Sequence, residues 1–190
     1  MGFTTDRLRA AAAEYERRHP FTIVEDERLE TLPTAFSEGS FLWKDAEWVV
    51  RWFARRSLSG TPHPAEDAFR ENGYDDLEAA ITGAESAETV TDAVERLTAL
   101  EGVDVPIASA YLQFLDPERY VTLDEGAVAA LEGAGSLSAF PADALEAYPS
   151  PLEPTAYATY LEAVRAVSRE HDLDLLRTYR ALSRLGATEK

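Results

Sequence analysis

Leu100-Glu101-Gly102-Val103-Asp104-Val105-Pro106-Ile107-Ala108, followed by Tyr120-Val121-Thr122-Leu123-Asp124, is the stretch on which the fold turns. A glycine between apolar residues lets the backbone reverse sharply at the end of one helix, and a proline shortly after it suits the first turn of the next. The segment predicts helix, tight hairpin, helix, then a carboxylate. Orphan N–H groups at the start of a helix form an anion site, and a nucleic-acid phosphate is the anion most often presented to such a hairpin. A plainer reading has Gly102 ending one helix and Pro106 starting another with no ligand at the join, and spacing alone leaves both open.

Outward from the hairpin, nearly every periodic segment repeats at helical spacing. The exception is the short β-branched run Phe21-Thr22-Ile23-Val24. The chain reads as all-α, in one domain over residues 1–190, with helices at about 4–18, 26–36, 43–57, 75–82, 87–100, 106–115, 124–132, 155–170 and 173–185. Ser59-Gly60-Thr61-Pro62-His63-Pro64 marks a linker, and the run from Gly133 to Pro154 is either a surface loop, a lid or a slack connection.

The 190 residues, 45% hydrophobic, are enough to bury a core without staples, and the absence of cysteine excludes disulfides, thiolate metal sites and a thiol nucleophile. No run approaches the roughly 20 apolar residues of a membrane span, and the N-terminal Asp6, Arg7, Arg9 and Glu14 do not fit a signal peptide. A cytoplasmic location and no membrane partner are expected.

The net charge is −17, with 35 acidic residues against 18 basic ones, and only Lys44 and Lys190 are lysines. Such acid-rich, lysine-poor surfaces resemble those of proteins from salt-loving organisms. In dilute buffer this charge repels DNA, whereas at about 1 M salt the Debye length is near 3 Å and distant carboxylates are screened. High salt also weakens binding that relies on phosphate charge alone, so local desolvated contacts must carry it.

Residues 43–57 carry a basic stripe: Lys44, Arg51 and Arg55 fall within about 20° of one line at helical spacing, with Trp48 and Trp52 beside them. From Lys44 to Arg56 four basic residues face two acidic ones, the reverse of the whole chain. The stripe suits a phosphate backbone lying across the helix. It equally suits a core helix whose arginines pair with carboxylates. Arg177, Arg180 and Arg184 form a similar line in the last helix, where cations are ordinary dipole partners. His19, His63 and His171 show no metal-ligand spacing and are expected at the surface; no metal site is expected. Glycine-rich phosphate loops, nucleophile elbows and HExxH are absent from the sequence. Asp124, ahead of Glu125 and the apolar Ala127, Val128 and Leu131, fits a helix N-cap. It also fits a catalytic carboxylate at a helix mouth, and one residue can do both.

Together these residues resemble the helix-hairpin-helix DNA glycosylase superfamily, in which a hairpin of the form L-x-G-V-G precedes a catalytic aspartate. The match is Leu100-Glu101-Gly102-Val103-Asp104, with Asp124 at the family's spacing. Val105 to Ala110 resembles the hairpin's second helix, and Asp116-Pro117-Glu118-Arg119-Tyr120 resembles the lead into the aspartate. More closely, Arg51-Trp52 to Arg56 and Leu176-Arg177 to Leu182 resemble framing segments of a group within that superfamily from salt-loving organisms. The resemblance spans most of residues 40–186, and only 100–124 is specific.

The resemblance implies a two-lobed helical bundle that binds duplex DNA through the hairpin, often with a monovalent cation at the hairpin carbonyls, and excises a flipped base. It implies that Gly102, Val103 and Val105 hold a phosphate, that Lys44, Arg51 and Arg55 add backbone contacts, and that Asp124 stabilises the oxocarbenium-like sugar and positions water. Three positions depart from the pattern. Asp104 replaces the second hairpin glycine and sets a carboxylate where a phosphate would sit. Pro106 replaces the lysine of bifunctional members, so only monofunctional hydrolysis is expected. Glu125-Gly126 replaces the family's usual Thr or Arg after the aspartate. A non-catalytic relative that binds nucleic acid or a protein is the alternative expectation.

Overall fold

The computed structural model describes residues 2–55 and 63–187. The predicted linker residues Ser59 to Pro62, Arg56 with the end of the 43–57 helix, and Lys190 lie outside them. Among the described residues the chain is helical with no strand, as the periodicity predicts: α1 Thr5–Arg18, α2 Thr22–Ser37, α3 Trp43–Arg55, α4 Pro64–Phe69, α5 Tyr74–Glu85, α6 Val90–Thr98, α7 Val105–Leu115, α8 Glu125–Ala134, α9 Pro154–His171 and α10 Leu175–Ala187. No helix among them is long and apolar enough to cross a membrane.

Phe21-Thr22-Ile23-Val24 enters α2 rather than a strand. Thr22 Oγ1 donates to the His19 carbonyl (2.9 Å) and the Glu25 N–H to the Phe21 carbonyl (2.8 Å), so the β-branched residues start a helix whose outer face leaves Ile23 exposed. This local bonding overrides β propensity. Periodicity does not reveal α4, six residues long, with His63 as N-cap, Pro64 at its first position and Glu66 closing a capping box.

One continuous apolar core links the helices, with Tyr111, Phe114, Tyr157, Tyr160 and Tyr179 among its largest buried side chains. α7 runs through its centre and is buried at nearly every position. α10 packs most extensively on α8 and α1, and α7 on α2, α3 and α6. The α8–α10 approach is side-chain-free: a Cβ on Gly126 would lie 2.5 Å from the Ser183 carbonyl oxygen, and one on Gly186 would overlap the Gly126 carbonyl.

A charged cluster ties α10 to α2 inside the protein. Arg180 donates to Glu25 Oε1 from Nε (3.2 Å) and from one terminal nitrogen (2.7 Å), and also to Asp26, while Tyr15 donates to Glu25 Oε2 (3.1 Å). Burial pushes the Glu25 carboxyl up and Arg180 pulls it back toward the charged form. Removing one partner of a buried pair strands the other charge, typically at about 3–5 kcal/mol. Because Asp26 still faces Arg180, Glu25→Ala is expected to cost about 2–3 kcal/mol, read as a lower denaturation midpoint at constant slope.

Candidate functional site

Asp124 stands at the end of a segment that is extended yet wholly buried. Tyr120, Val121, Thr122 and Leu123 have no ladder partner; the Tyr120 N–H donates to the Asp116 carbonyl (3.0 Å), and four of the backbone groups that follow are met by side chains. Gln113 Oε1 accepts from the Thr122 N–H (2.9 Å), Ser109 Oγ from the Leu123 N–H (2.8 Å), and the Tyr157 and Tyr160 hydroxyls donate to the carbonyls of Val121 (3.0 Å) and Thr122 (2.9 Å). Four side chains from α7 and α9 thus fix the chain that delivers the aspartate.

Asp124 itself is 7% exposed and is the N-cap of α8. Its Oδ1 accepts from the Ala127 N–H (2.7 Å) and its Oδ2 from the Tyr179 hydroxyl (2.9 Å). Both roles foreseen for it are compatible with this position, because the carboxylate also lines a cleft of about 530 Å³. The cleft is lined by Tyr15 of α1, by His19 just after that helix, and by Tyr179, Ser183 and Gly186 of α10. Phe53 near the end of α3, His63 before α4, Pro106 in α7 and Glu146 line it as well. Pockets that enclose small molecules fall at about 300–1,000 Å³. The cleft therefore has room for a nucleobase beside the carboxylate.

The three histidines, expected at the surface, are half-buried. His19 stacks on Tyr15 (centroids 4.6 Å) at the cleft wall, His63 Nδ1 accepts from the Ala65 N–H (3.2 Å), and His171 Nδ1 lies 3.0 Å from Thr5 Oγ1.

At the hairpin, Gly102 has φ +79°, and a Cβ there would meet the Ala65 carbonyl oxygen and the Phe69 nitrogen at 2.6 Å. Val103 and Val105 are buried, so their side chains belong to the core. Three N–H groups around the hairpin are bonded within the chain: Val103 N–H donates to the Leu100 carbonyl (3.2 Å), Glu101 N–H to Asn72 Oδ1 (2.9 Å) and Ile107 N–H to Asp104 Oδ1 (3.1 Å). Two carbonyls of the hairpin, where the resemblance implies a monovalent cation, each accept one bond within the chain. Leu100 O already accepts from Val103, and Glu101 O accepts from Asn72 Nδ2 (2.9 Å).

Asp104 caps α7 and also receives the Ser150 N–H on Oδ2 (2.9 Å). Burial pushes its carboxyl up, against the pull of the Ser150 and Ile107 donors and of His63. The 133–154 run is thereby a strap drawn over the hairpin, not a slack connection. Leu137, Phe140 and Leu152 anchor it in the core, a single 3-10 turn spans Ala142–Leu145, and Tyr148 packs edge-on against His63 at 4.6 Å.

On α3, Arg51 and Arg55 converge on one carboxylate. Arg55 forms two bonds to Glu66 (3.0 and 2.6 Å), and Arg51 Nε lies 3.6 Å from the same side chain. Trp48 and Trp52 pack edge-on against Phe114 (5.2 and 5.0 Å), which places their rings against the core. Lys44 is exposed on the first turn of α3. The stripe keeps its spacing, with much of its charge answered by Glu66, and Glu66 adjoins the cleft through the His63 N–H (3.3 Å).

Arg55 holds the Glu66 carboxyl below the usual carboxylate range. A lowered value means that the stability Glu66 contributes is present above that range and is lost as pH falls through the lowered value. Glu66→Gln is accordingly expected to melt below the native protein at pH 7, with the gap closing beneath about pH 4, in thermal melts followed by circular dichroism.

The chain matches no family model, no curated protein and no solved structure. The class of site is defined by its geometry: a capped, hydrogen-bonded carboxylate on the wall of an aromatic cleft.

Proposed function

We propose that the chain is a DNA glycosylase-like protein of the two-lobed helix-hairpin-helix type, a monofunctional enzyme that hydrolyses the N-glycosidic bond of a flipped base in duplex DNA. The observation that carries this reading is the Asp124 carboxylate on the wall of a base-sized cleft that is also lined by residues of α1, α3, α7 and α10. In the reaction the C1′–N bond breaks with its electron pair going to the base. Positive charge gathers on the sugar opposite Asp124, a water oxygen bonds to C1′, and the water's proton passes through solvent to the base nitrogen. Pro106 lines the cleft and offers no amine, which fits hydrolysis without a Schiff base.

The test is release of free base from duplexes carrying single damaged or mismatched bases, in multimolar potassium chloride. The reading expects release that depends on Asp124. No release from any duplex by the folded protein contradicts it.

One observation favours the second reading, a non-catalytic relative that binds nucleic acid or protein. The hairpin is engaged by its own chain through Asp104 and Ser150. Like charges 4 Å apart cost about 1 kcal/mol in water, roughly a fivefold change in affinity. Where DNA docks on the hairpin, Asp104→Asn, which keeps a capping side chain, is expected to tighten duplex binding about fivefold in fluorescence anisotropy. Unchanged affinity removes the hairpin from the interface.

A further inference from the structure

We propose that Tyr179 is a positioning residue for Asp124: its hydroxyl fixes the rotation of the carboxylate, so that the same edge always faces the cleft. The inference rests on the base-excision reading above. A helix N-cap needs one accepting oxygen, and Asp124 Oδ1 meets that need at the Ala127 N–H. The second bond, from the Tyr179 hydroxyl to Oδ2, comes from another helix and lies inside the protein, Tyr179 being 1% exposed. Donors on two elements, one to each oxygen, leave the carboxylate no free rotation. Charge-assisted bonds of this kind are roughly twice as strong as neutral ones.

The fold around Tyr179 is built to hold it there. Gly126 and Gly186 let α10 touch the first turn of α8 backbone to backbone. The next residue, Arg180, is anchored by Glu25 and Asp26, and a turn further on Arg184 donates to Glu14 (2.8 Å). Tyr179 is thus clamped on both sides of its own helix. The titratable groups that share the cleft with Asp124 are Tyr15 from α1, His19 just after it, His63 before α4, Glu125 beside it, Glu146 from the strap and Tyr179. Tyr179 bonds the carboxylate directly. A carboxylate free to rotate spends part of its time turned from the developing charge. One held at both oxygens pays no reorganisation at the moment of reaction.

The experiment uses the full chain and two duplexes, one carrying a pyrrolidine abasic analogue whose protonated ring nitrogen mimics the cationic sugar, the other a neutral tetrahydrofuran analogue of the same shape. The native protein is expected to prefer the pyrrolidine duplex at least tenfold. Tyr179→Phe, which keeps the ring and loses the hydroxyl, is expected to lose about tenfold of that preference while binding the tetrahydrofuran duplex unchanged. In base release kcat should fall about tenfold with KM unchanged, and adding Asp124→Asn should cost no more than Asp124→Asn alone.

A second measurement does not depend on how the variant folds. With 3-fluorotyrosine at position 179, the fluorine resonance should shift on binding the pyrrolidine duplex and not on binding the tetrahydrofuran duplex. A Tyr179→Phe protein with native preference and native kcat, or a fluorine signal indifferent to the charge of the analogue, overturns the inference and leaves the base-excision reading standing. A native protein with no preference and no base release overturns both.

Discussion

Asp124→Asn is expected to lower base release by about 10²–10³-fold while leaving the protein folded, the range seen when one preorganised electrostatic group is removed from an active site. Asparagine caps helices as well as aspartate does, so the bond to the Ala127 N–H survives and stability should stay within about 1 kcal/mol of native. What the amide cannot do is present a full negative charge to the sugar. Asp124→Ala separates the two roles from the other side. It removes the cap and deprives both the Ala127 N–H and the Tyr179 hydroxyl of an acceptor, and is expected to cost about 1–3 kcal/mol as well as activity. Denaturant titrations beside base-release assays distinguish the outcomes. Equal activity in native and Asp124→Asn proteins leaves Asp124 as a cap alone.

Gly102→Ala should be the most damaging single change to stability, at about 3–5 kcal/mol. Two costs add at this position. The backbone sits at φ +79°, in the left-handed region, and the new methyl would meet the Ala65 carbonyl oxygen and the Phe69 nitrogen at 2.6 Å, backbone atoms that cannot step aside. Gly135 isolates the first cost. It ends α8 at φ +74° with nothing within 4 Å of its would-be Cβ, so Gly135→Ala should lose only about 1 kcal/mol. Urea unfolding at fixed salt measures both. Equal losses at the two positions would mean that α4 does not press on the hairpin as described.

The helical class, the turn at Gly102 and the start of α7 were legible because each is a local matter: periodicity, a glycine that must adopt positive φ, a proline in a first helical turn. Asp124 was legible as a cap for the same reason, and the cleft it faces was not. Tyr15, His63 and Tyr179 reach that cleft from distant parts of the chain, and no spacing rule joins them. The basic stripe shows the same limit. Its angular alignment on α3 could be read, whereas its partner Glu66 belongs to α4, a helix too short for periodicity to reveal; only Pro64 followed by Glu66 hinted at one. Phe21 to Val24 misled because β-branched composition speaks to propensity, and here the carbonyls of His19 and Phe21 decided the outcome. The strap looked slack because its anchors, Leu137, Phe140 and Leu152, are scattered among prolines, and its bond to Asp104 joins residues far apart in sequence.

The central claim is that Asp124 acts on a base held in the cleft. Its most direct test is single-turnover release of free base, in multimolar potassium chloride, by native and Asp124→Asn proteins of matched circular dichroism. The account predicts release by the native protein from at least one damaged or mismatched duplex and its loss in the variant; the same rate from both proteins, or none from either, contradicts it.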